Sequence, residues 1–186
     1  MVVYHFAATY GVMFALAWKH PKIFGRYTDW MRLQILVWYS CCHDEPWTKD
    51  LIWVNAVGCF LSAHIVYAVT RYELLDYIAS DFFRRVIGYD HSDRLIHFIM
   101  DFMVQGLPVL FAYGLLNERP RPPPVPFIWL MTSLPHMCYG VLLTGEWEMT
   151  SFYGVSMQDF NRSEAWVAVS VLIGHFTAYS LLLFIV

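Results

Sequence analysis

Four long apolar segments, none of which contains a lysine or an arginine, dominate this sequence. They cover residues 51–70, 95–116, 125–144 and 165–186. A helix needs roughly 20 apolar residues to cross the hydrocarbon core of a bilayer, and each segment reaches that length. The alternating polarity of a membrane β-strand does not occur over these lengths. The sequence therefore predicts an all-α, polytopic transmembrane helical bundle with about four spans and additional interfacial amphipathic helices.

The composition agrees with a membrane protein. Of the 186 residues, 58% are hydrophobic and 15% are charged, whereas a soluble domain is about 45–50% apolar and about 25% charged. Four spans use most of the chain and leave no room for a separate soluble catalytic domain. The net charge of −3 gives no indication of nucleic-acid binding. We expect an N-terminal segment at 1–50 and a bundle at 51–186.

Two connecting segments predict amphipathic helices at the membrane surface. In residues 71–94, apolar side chains recur at helical spacing while charged side chains fill the other faces. The apolar positions are Leu74, Leu75, Ile78, Phe82 and Val86. Residues 27–40 hold a second candidate. The run 2–18 is apolar but borderline in length, so it either spans the bilayer or lies along its surface.

The second apolar segment carries an unusual polar stripe. His97, Asp101 and Gln105 are spaced four residues apart, so they lie on one face of a helix. A carboxylate within the hydrocarbon region is costly, and Asp101 should therefore face protein, a partner or water. The stripe has two interpretations, a polar clamp between helices or a site for a proton or a ligand.

Other titratable residues suggest further sites. His136 and His175 fall near the middle of two spans, where they either ligate a haem b iron or each bond to a neighbouring helix. Arg84 and Arg85 either hold anionic phospholipid head groups, cardiolipin among them, or extend towards water. The run at 41–45 contains ligand-type residues, but consecutive side chains cannot converge on one ion, so no metal site is predicted.

The segment from Asp101 to Gly114, DFMVQGLPVLFAYG, resembles one known helix. It is similar to the second helix of the emopamil-binding and sigma-2 receptor group, which combines an acidic residue, a glutamine and a proline. The resemblance implies a four-helix, sterol-handling protein. It covers one helix, and the first span here lacks the acidic residue of that group, as its loop lacks the Asp-Pro pair.

These features lead to three functional hypotheses. The first is a non-catalytic accessory subunit of a multisubunit membrane complex, since the chain shows no catalytic constellation of its own. Such small subunits are typical of the respiratory complexes and the ATP synthase of the mitochondrial inner membrane, with the endoplasmic reticulum as the alternative location. The partners of such an accessory subunit would be other membrane subunits and anionic phospholipids.

The second hypothesis is a membrane enzyme or sterol-like ligand binder that uses Asp101, Gln105 and His97. The third is a b-type haem anchor using His136 and His175.

Overall fold

The described part of the protein is helical. The computed structural model describes residues 27–42, 44–86, 88–89, 93–116, 124, 126–134 and 155–185, and no strand occurs among them. The helices are α1 (Tyr27–Cys42), α2 (Pro46–Val69), α3 (Glu73–Val86), α4 (Arg94–Asp101), α5 (Leu107–Leu116), α6 (128–134) and α7 (Ala165–Ile185). A π-helical turn, Phe102–Gly106, joins α4 to α5 without a break, and a short 3₁₀ helix, Met157–Phe160, precedes α7.

Three of these helical segments are long and apolar enough to cross a membrane. They are Trp47–Val69, Arg94–Leu116 and Ala165–Ile185. They coincide with three of the four predicted spans and are consistent with an integral membrane protein. The fourth predicted span, 125–144, lies largely outside the described residues, although 128–134 are helical. The apolar run 2–18 also lies outside them.

The antiparallel helices α2 and α7 pack closely because small residues line their contact. A β-carbon placed on Gly174 would overlap the Ser62 hydroxyl and lie 2.6 Å from the Gly58 carbonyl oxygen. Further along, the Trp53 indole donates a hydrogen bond of 3.1 Å to the Ala178 carbonyl. Small residues let helix backbones approach in a membrane, where no water-driven force holds helices together. This pair forms the centre of the bundle.

Helix α1 packs on α2. Met31 and Ile35 are fully buried, and the Asn55 amide donates a hydrogen bond of 3.1 Å to the Met31 carbonyl. We predicted an interfacial helix at 27–40. The structure has a helix in this segment, and its buried residues belong to the same core as those of α2.

Helix α3 is amphipathic, as its sequence pattern predicts. Leu74, Leu75 and Ala79 are buried, while Arg84 and Arg85 are exposed. Its buried side packs with the end of α2 and with Met157 of the 3₁₀ helix in a second, smaller core. Acidic residues in its first turn and arginines in its last turn suit the helix dipole. The helix therefore covers one end of the α2–α4 contact.

Candidate functional site

A buried polar cluster lies between α2 and the helix formed by α4, the π-helical turn and α5. It consists of His64, Tyr67, Asp101 and Gln105, and we call it the Asp101 cluster. Asp101 Oδ1 accepts hydrogen bonds from the Tyr67 hydroxyl at 3.1 Å and from Gln105 Nε2 at 2.7 Å. Gln105 Nε2 also donates to the Tyr67 oxygen at 3.2 Å. His64 Nε2 lies 3.8 Å from Asp101 Oδ2. Two residues of the predicted polar stripe, Asp101 and Gln105, therefore bond to Tyr67 of α2 at this contact between helices.

Helical spacing brings the four side chains together. His64 and Tyr67 are three residues apart on α2, and Asp101 and Gln105 are four apart on the opposing helix, so each pair shares a face. Gln105 lies within the π-helical turn. Such turns insert an extra residue into a helix and often accompany functional sites, because they redirect side chains.

The proline next to this turn explains an interhelical contact. Pro108 has no N–H group, so the carbonyl of Val104, four residues earlier, cannot receive the usual helical bond. The Arg32 guanidinium of α1 donates to that carbonyl. Arg32 is only 3% exposed. A buried arginine thus satisfies the backbone defect beside the Asp101 cluster.

The Asp101 cluster has more acceptors than donors. His64 Nδ1 lies 2.9 Å from the Phe60 carbonyl and must donate its proton there. In the neutral imidazole, Nε2 is then an acceptor that faces another acceptor, Asp101 Oδ2. Gln105 Oε1 is buried and has no partner. The reverse amide orientation would place that oxygen against the carboxylate. The cluster is therefore suited to receive a hydrogen-bond donor.

His97, which we predicted in the same stripe, belongs to a different group. Its Nδ1 lies 3.0 Å from Asp76 Oδ1 of α3, while Arg94 donates to Asp76 Oδ2 at 2.5 and 3.0 Å. Burial alone would raise the pKa of Asp76, but the hydrogen bonds from Arg94 and His97 outweigh it and lower that pKa below its usual value. This group ties the amphipathic helix to the start of the second span.

The remaining predicted sites are distributed through the fold. His175 is fully buried, its Nδ1 donates to the Val171 carbonyl at 2.9 Å, and its ring packs directly on Gly58. His136 lies outside the described residues, so the haem pair stays a prediction. Arg85 pairs with Asp81 at 2.8 Å. Among the described residues, no group of three potential ligands is placed to hold a metal ion.

Sequence reasoning did not identify the partners of Asp101. It assigned no role to His64, Tyr67 or Arg32. One signal was present, since His64 and Tyr67 are polar-tipped residues three apart in an otherwise apolar helix. For Arg32 the signal was weaker, because a lone arginine near a predicted interface is more simply read as reaching towards water.

Comparisons with known protein families, with curated proteins and with solved structures find no match to this chain. The likeness of Asp101–Gly114 to one helix of the emopamil-binding group therefore stays a resemblance.

Proposed function

We propose that the Asp101 cluster binds the hydroxyl end of a sterol-like lipid within the membrane bundle. The observation that carries this proposal is the buried Gln105 Oε1, which has no hydrogen-bond partner although it lies beside a carboxylate. A buried acceptor without a donor costs about 1–3 kcal/mol. A ligand hydroxyl would remove that cost, and the hydrocarbon surroundings favour a ligand that is otherwise apolar.

The Asp101 cluster has more hydrogen-bond acceptors than donors, and this excess distinguishes a ligand site from a purely structural clamp. A clamp gains most when every buried polar atom is paired, because half-satisfied networks are destabilising. Here Asp101 Oδ1 receives two donors, whereas Oδ2 faces only His64 at 3.8 Å. That separation exceeds a hydrogen bond. An incoming hydroxyl could donate to Oδ2 or to Gln105 Oε1.

The exposure of the cluster indicates how a ligand would enter. The His64 side chain is 29% exposed, whereas that of Asp101 is 5% exposed. The Phe60 ring stacks beside His64, with centroids 4.2 Å apart. A ligand would approach past His64, place its hydroxyl at the cluster and lay its apolar body along the neighbouring aromatic surface. An enzyme acting on such a lipid would use the same imidazole and carboxylate for proton transfer.

Photolabelling with a cholesterol analogue that carries a diazirine and an alkyne tests the proposal. We expect Asp101→Asn and Gln105→Met to reduce labelling of the purified, nanodisc-embedded protein by about tenfold, which corresponds to about 1.4 kcal/mol. Glu45→Gln is the matched control, because Glu45 is an exposed carboxylate without a capping hydrogen bond. Unchanged labelling of folded Asp101→Asn protein would rule out the site.

Several finer expectations remain proposals with their own tests. We propose that residues 125–144 complete a four-span bundle. The helical residues 128–134 support this proposal, and the accessibility of cysteines introduced at the two ends of the segment would establish the topology.

We also propose that the protein is an accessory subunit of a mitochondrial inner-membrane complex. This proposal predicts co-purifying membrane chains and bound anionic phospholipid. Fractionation and native mass spectrometry would reveal both. A visible spectrum without a Soret band would exclude the haem anchor.

A further inference from the structure

The Asp101 cluster lies nearer to one end of its two helices than to the other. His64 is five residues from the end of the apolar segment Trp47–Val69, and Asp101 is seven residues from the start of Arg94–Leu116. At about 1.5 Å per residue, these separations are about 8 Å and about 10 Å along the helix axes. On the other side of the cluster, about 22–25 Å of each segment remains. The cluster therefore lies in the half of the bundle that α3 covers.

A run of aromatic rings closes the short side of the cluster. The centroid of the Tyr72 ring lies 6.3 Å from that of Tyr67 and 5.4 Å from that of Phe98. Tyr67 belongs to α2, Tyr72 follows the end of that helix, and Phe98 belongs to α4, so the run crosses from one helix to the other. Leu74 and Leu75 of α3 belong to the same small core as Tyr67. A ligand body directed towards α3 would have to displace these side chains.

The long side of the cluster begins with another ring, that of Phe60. Phe60 lies one turn before His64 on α2, and the two ring centroids are 4.2 Å apart with the ring planes inclined by 31°. Trp53, Phe60 and Tyr67 are spaced seven residues apart, so they share one face of α2. Further along this face, the Trp53 ring lies 6.5 Å from that of Tyr113 of α5, which is 52% exposed. An aromatic surface therefore continues from the cluster away from α3.

We infer that the ligand lies with its hydroxyl at the Asp101 cluster and its apolar body over Phe60, directed away from α3 and towards the bilayer centre. The inference rests on the proposed function and adds the orientation of the ligand and a residue that positions its body. The end that α3 covers carries exposed charged residues, among them Arg84 and Arg85. An apolar body directed there would lose its hydrocarbon surroundings, which is unfavourable.

This orientation also determines the side from which the ligand enters. A lipid in the leaflet on the α3 side already has its polar group towards that end of the bundle and its apolar body towards the bilayer centre. It can therefore move sideways past the half-buried His64 and Phe60 without turning over. The flat face of the Phe60 ring then supplies dispersion contacts to the body, while the cluster holds the hydroxyl.

Two photoreactive cholesterol analogues test the orientation. One carries the diazirine in the ring system beside the hydroxyl, and the other carries it at the end of the hydrocarbon tail. The purified protein is labelled in phosphatidylcholine nanodiscs, and tandem mass spectrometry locates the modified residues. We expect the ring probe to modify residues within 60–67 or 101–105, and the tail probe to modify residues within 47–57 of α2 or 106–116 of α5. Tail crosslinks elsewhere, above all in α3 or at Phe98, overturn the inference.

Substitution of Phe60 tests its positioning role. Phe60→Ala should reduce tail-probe labelling within these two segments by about threefold, because the ring supplies only dispersion contacts in a hydrocarbon environment. Phe60→Tyr keeps the ring and should retain the labelling. Phe184→Ala, which truncates a phenylalanine that is 89% exposed near the end of α7, is the matched control and should label as the wild type does. Unchanged labelling of folded Phe60→Ala protein would refute the role of this ring, and if that variant does not fold, the crosslinks of the wild type decide the orientation.

The outcomes separate this inference from the proposed function. If Asp101→Asn changes the labelling by neither probe, the proposed function fails and the orientation fails with it. If labelling by the ring probe depends on Asp101 but the tail crosslinks lie outside the two expected segments, the orientation is overturned and the hydroxyl site stands.

Discussion

The close contact between α2 and α7 gives a quantitative prediction for Gly174→Ala. The added methyl group would overlap the Ser62 hydroxyl and lie 2.6 Å from the Gly58 oxygen and 2.8 Å from the Ser62 nitrogen. Two of these atoms belong to the α2 backbone, so a side-chain rotation cannot relieve the overlap. An ordinary contact of 3.4 Å requires the helices to separate locally by about 0.8 Å.

Overpacking of this kind costs about 1–3 kcal/mol, and alanine returns up to about 1 kcal/mol through its higher helix propensity. We therefore expect Gly174→Ala to lower the free energy of unfolding by about 1–2 kcal/mol. Circular dichroism during titration of mixed micelles with sodium dodecyl sulfate measures this change, and the combined emission of the eight tryptophans follows unfolding in the same samples.

A matched control is available at Gly114 of α5. A β-carbon there would meet no atom within 4 Å, so Gly114→Ala should leave stability unchanged or raise it slightly through helix propensity. If Gly174→Ala is as stable as Gly114→Ala, the tight α2–α7 contact is not the arrangement of the protein in micelles. Ser62→Ala should recover only part of the loss, because the backbone contacts remain.

Three further predictions concern individual hydrogen bonds. The lowered pKa of Asp76 stabilises the fold above its ordinary value of 3.8, and this contribution is lost as the pH falls through the lower folded value. Asp76→Asn removes this carboxyl group and weakens the link to Arg94. It should therefore remove that acid-dependent step from unfolding curves measured from roughly pH 5 down to roughly pH 2, which covers the titration of a carboxyl group with a lowered pKa. Tyr67→Phe removes a donor to Asp101 and should lower the free energy of unfolding by about 1–2 kcal/mol, measured by the same micelle titration. Trp53→Phe removes the interhelical indole bond and should cost about 1 kcal/mol in that assay.

Each of these has an outcome that would contradict it. An acid transition that persists unchanged in the Asp76 variant would assign it to other carboxyl groups. A Tyr67→Phe protein as stable as the wild type would mean that the tyrosine hydroxyl is not part of the cluster. If Trp53→Phe lowers the free energy of unfolding by several times the expected amount, the volume of the indole ring contributes more to stability at that position than its hydrogen bond does.

Some of the fold follows directly from local sequence. The spans at 47–69, 94–116 and 165–185 were predictable because a helix must satisfy its own backbone within lipid, so an apolar run of sufficient length has one available structure. The amphipathic character of α3 was predictable for a similar reason, since its apolar positions share one helical face. The pairing of Asp101 with Gln105 needed only the pitch of a single helix.

The partners of these residues depended on contacts between helices, which sequence spacing does not specify. His97 shares a face with Asp101, yet it bonds to Asp76, because α3 folds back over the start of the second span. His64 and Tyr67 reach Asp101 only because α2 lies beside the helix that carries it.

The polar stripe of the second predicted span shows the same division. The sequence by itself determined that a carboxylate lies within a helix apolar enough to cross a membrane and that it would need a partner there, because hydrocarbon does not solvate charge. Only the tertiary structure decided which partners it has. The Arg32 guanidinium donates to the carbonyl that Pro108 leaves without its helical partner, and helix packing places a phenol and an imidazole around Asp101. These partners depend on the relative positions of separate helices, which the spacing of residues within one helix does not specify.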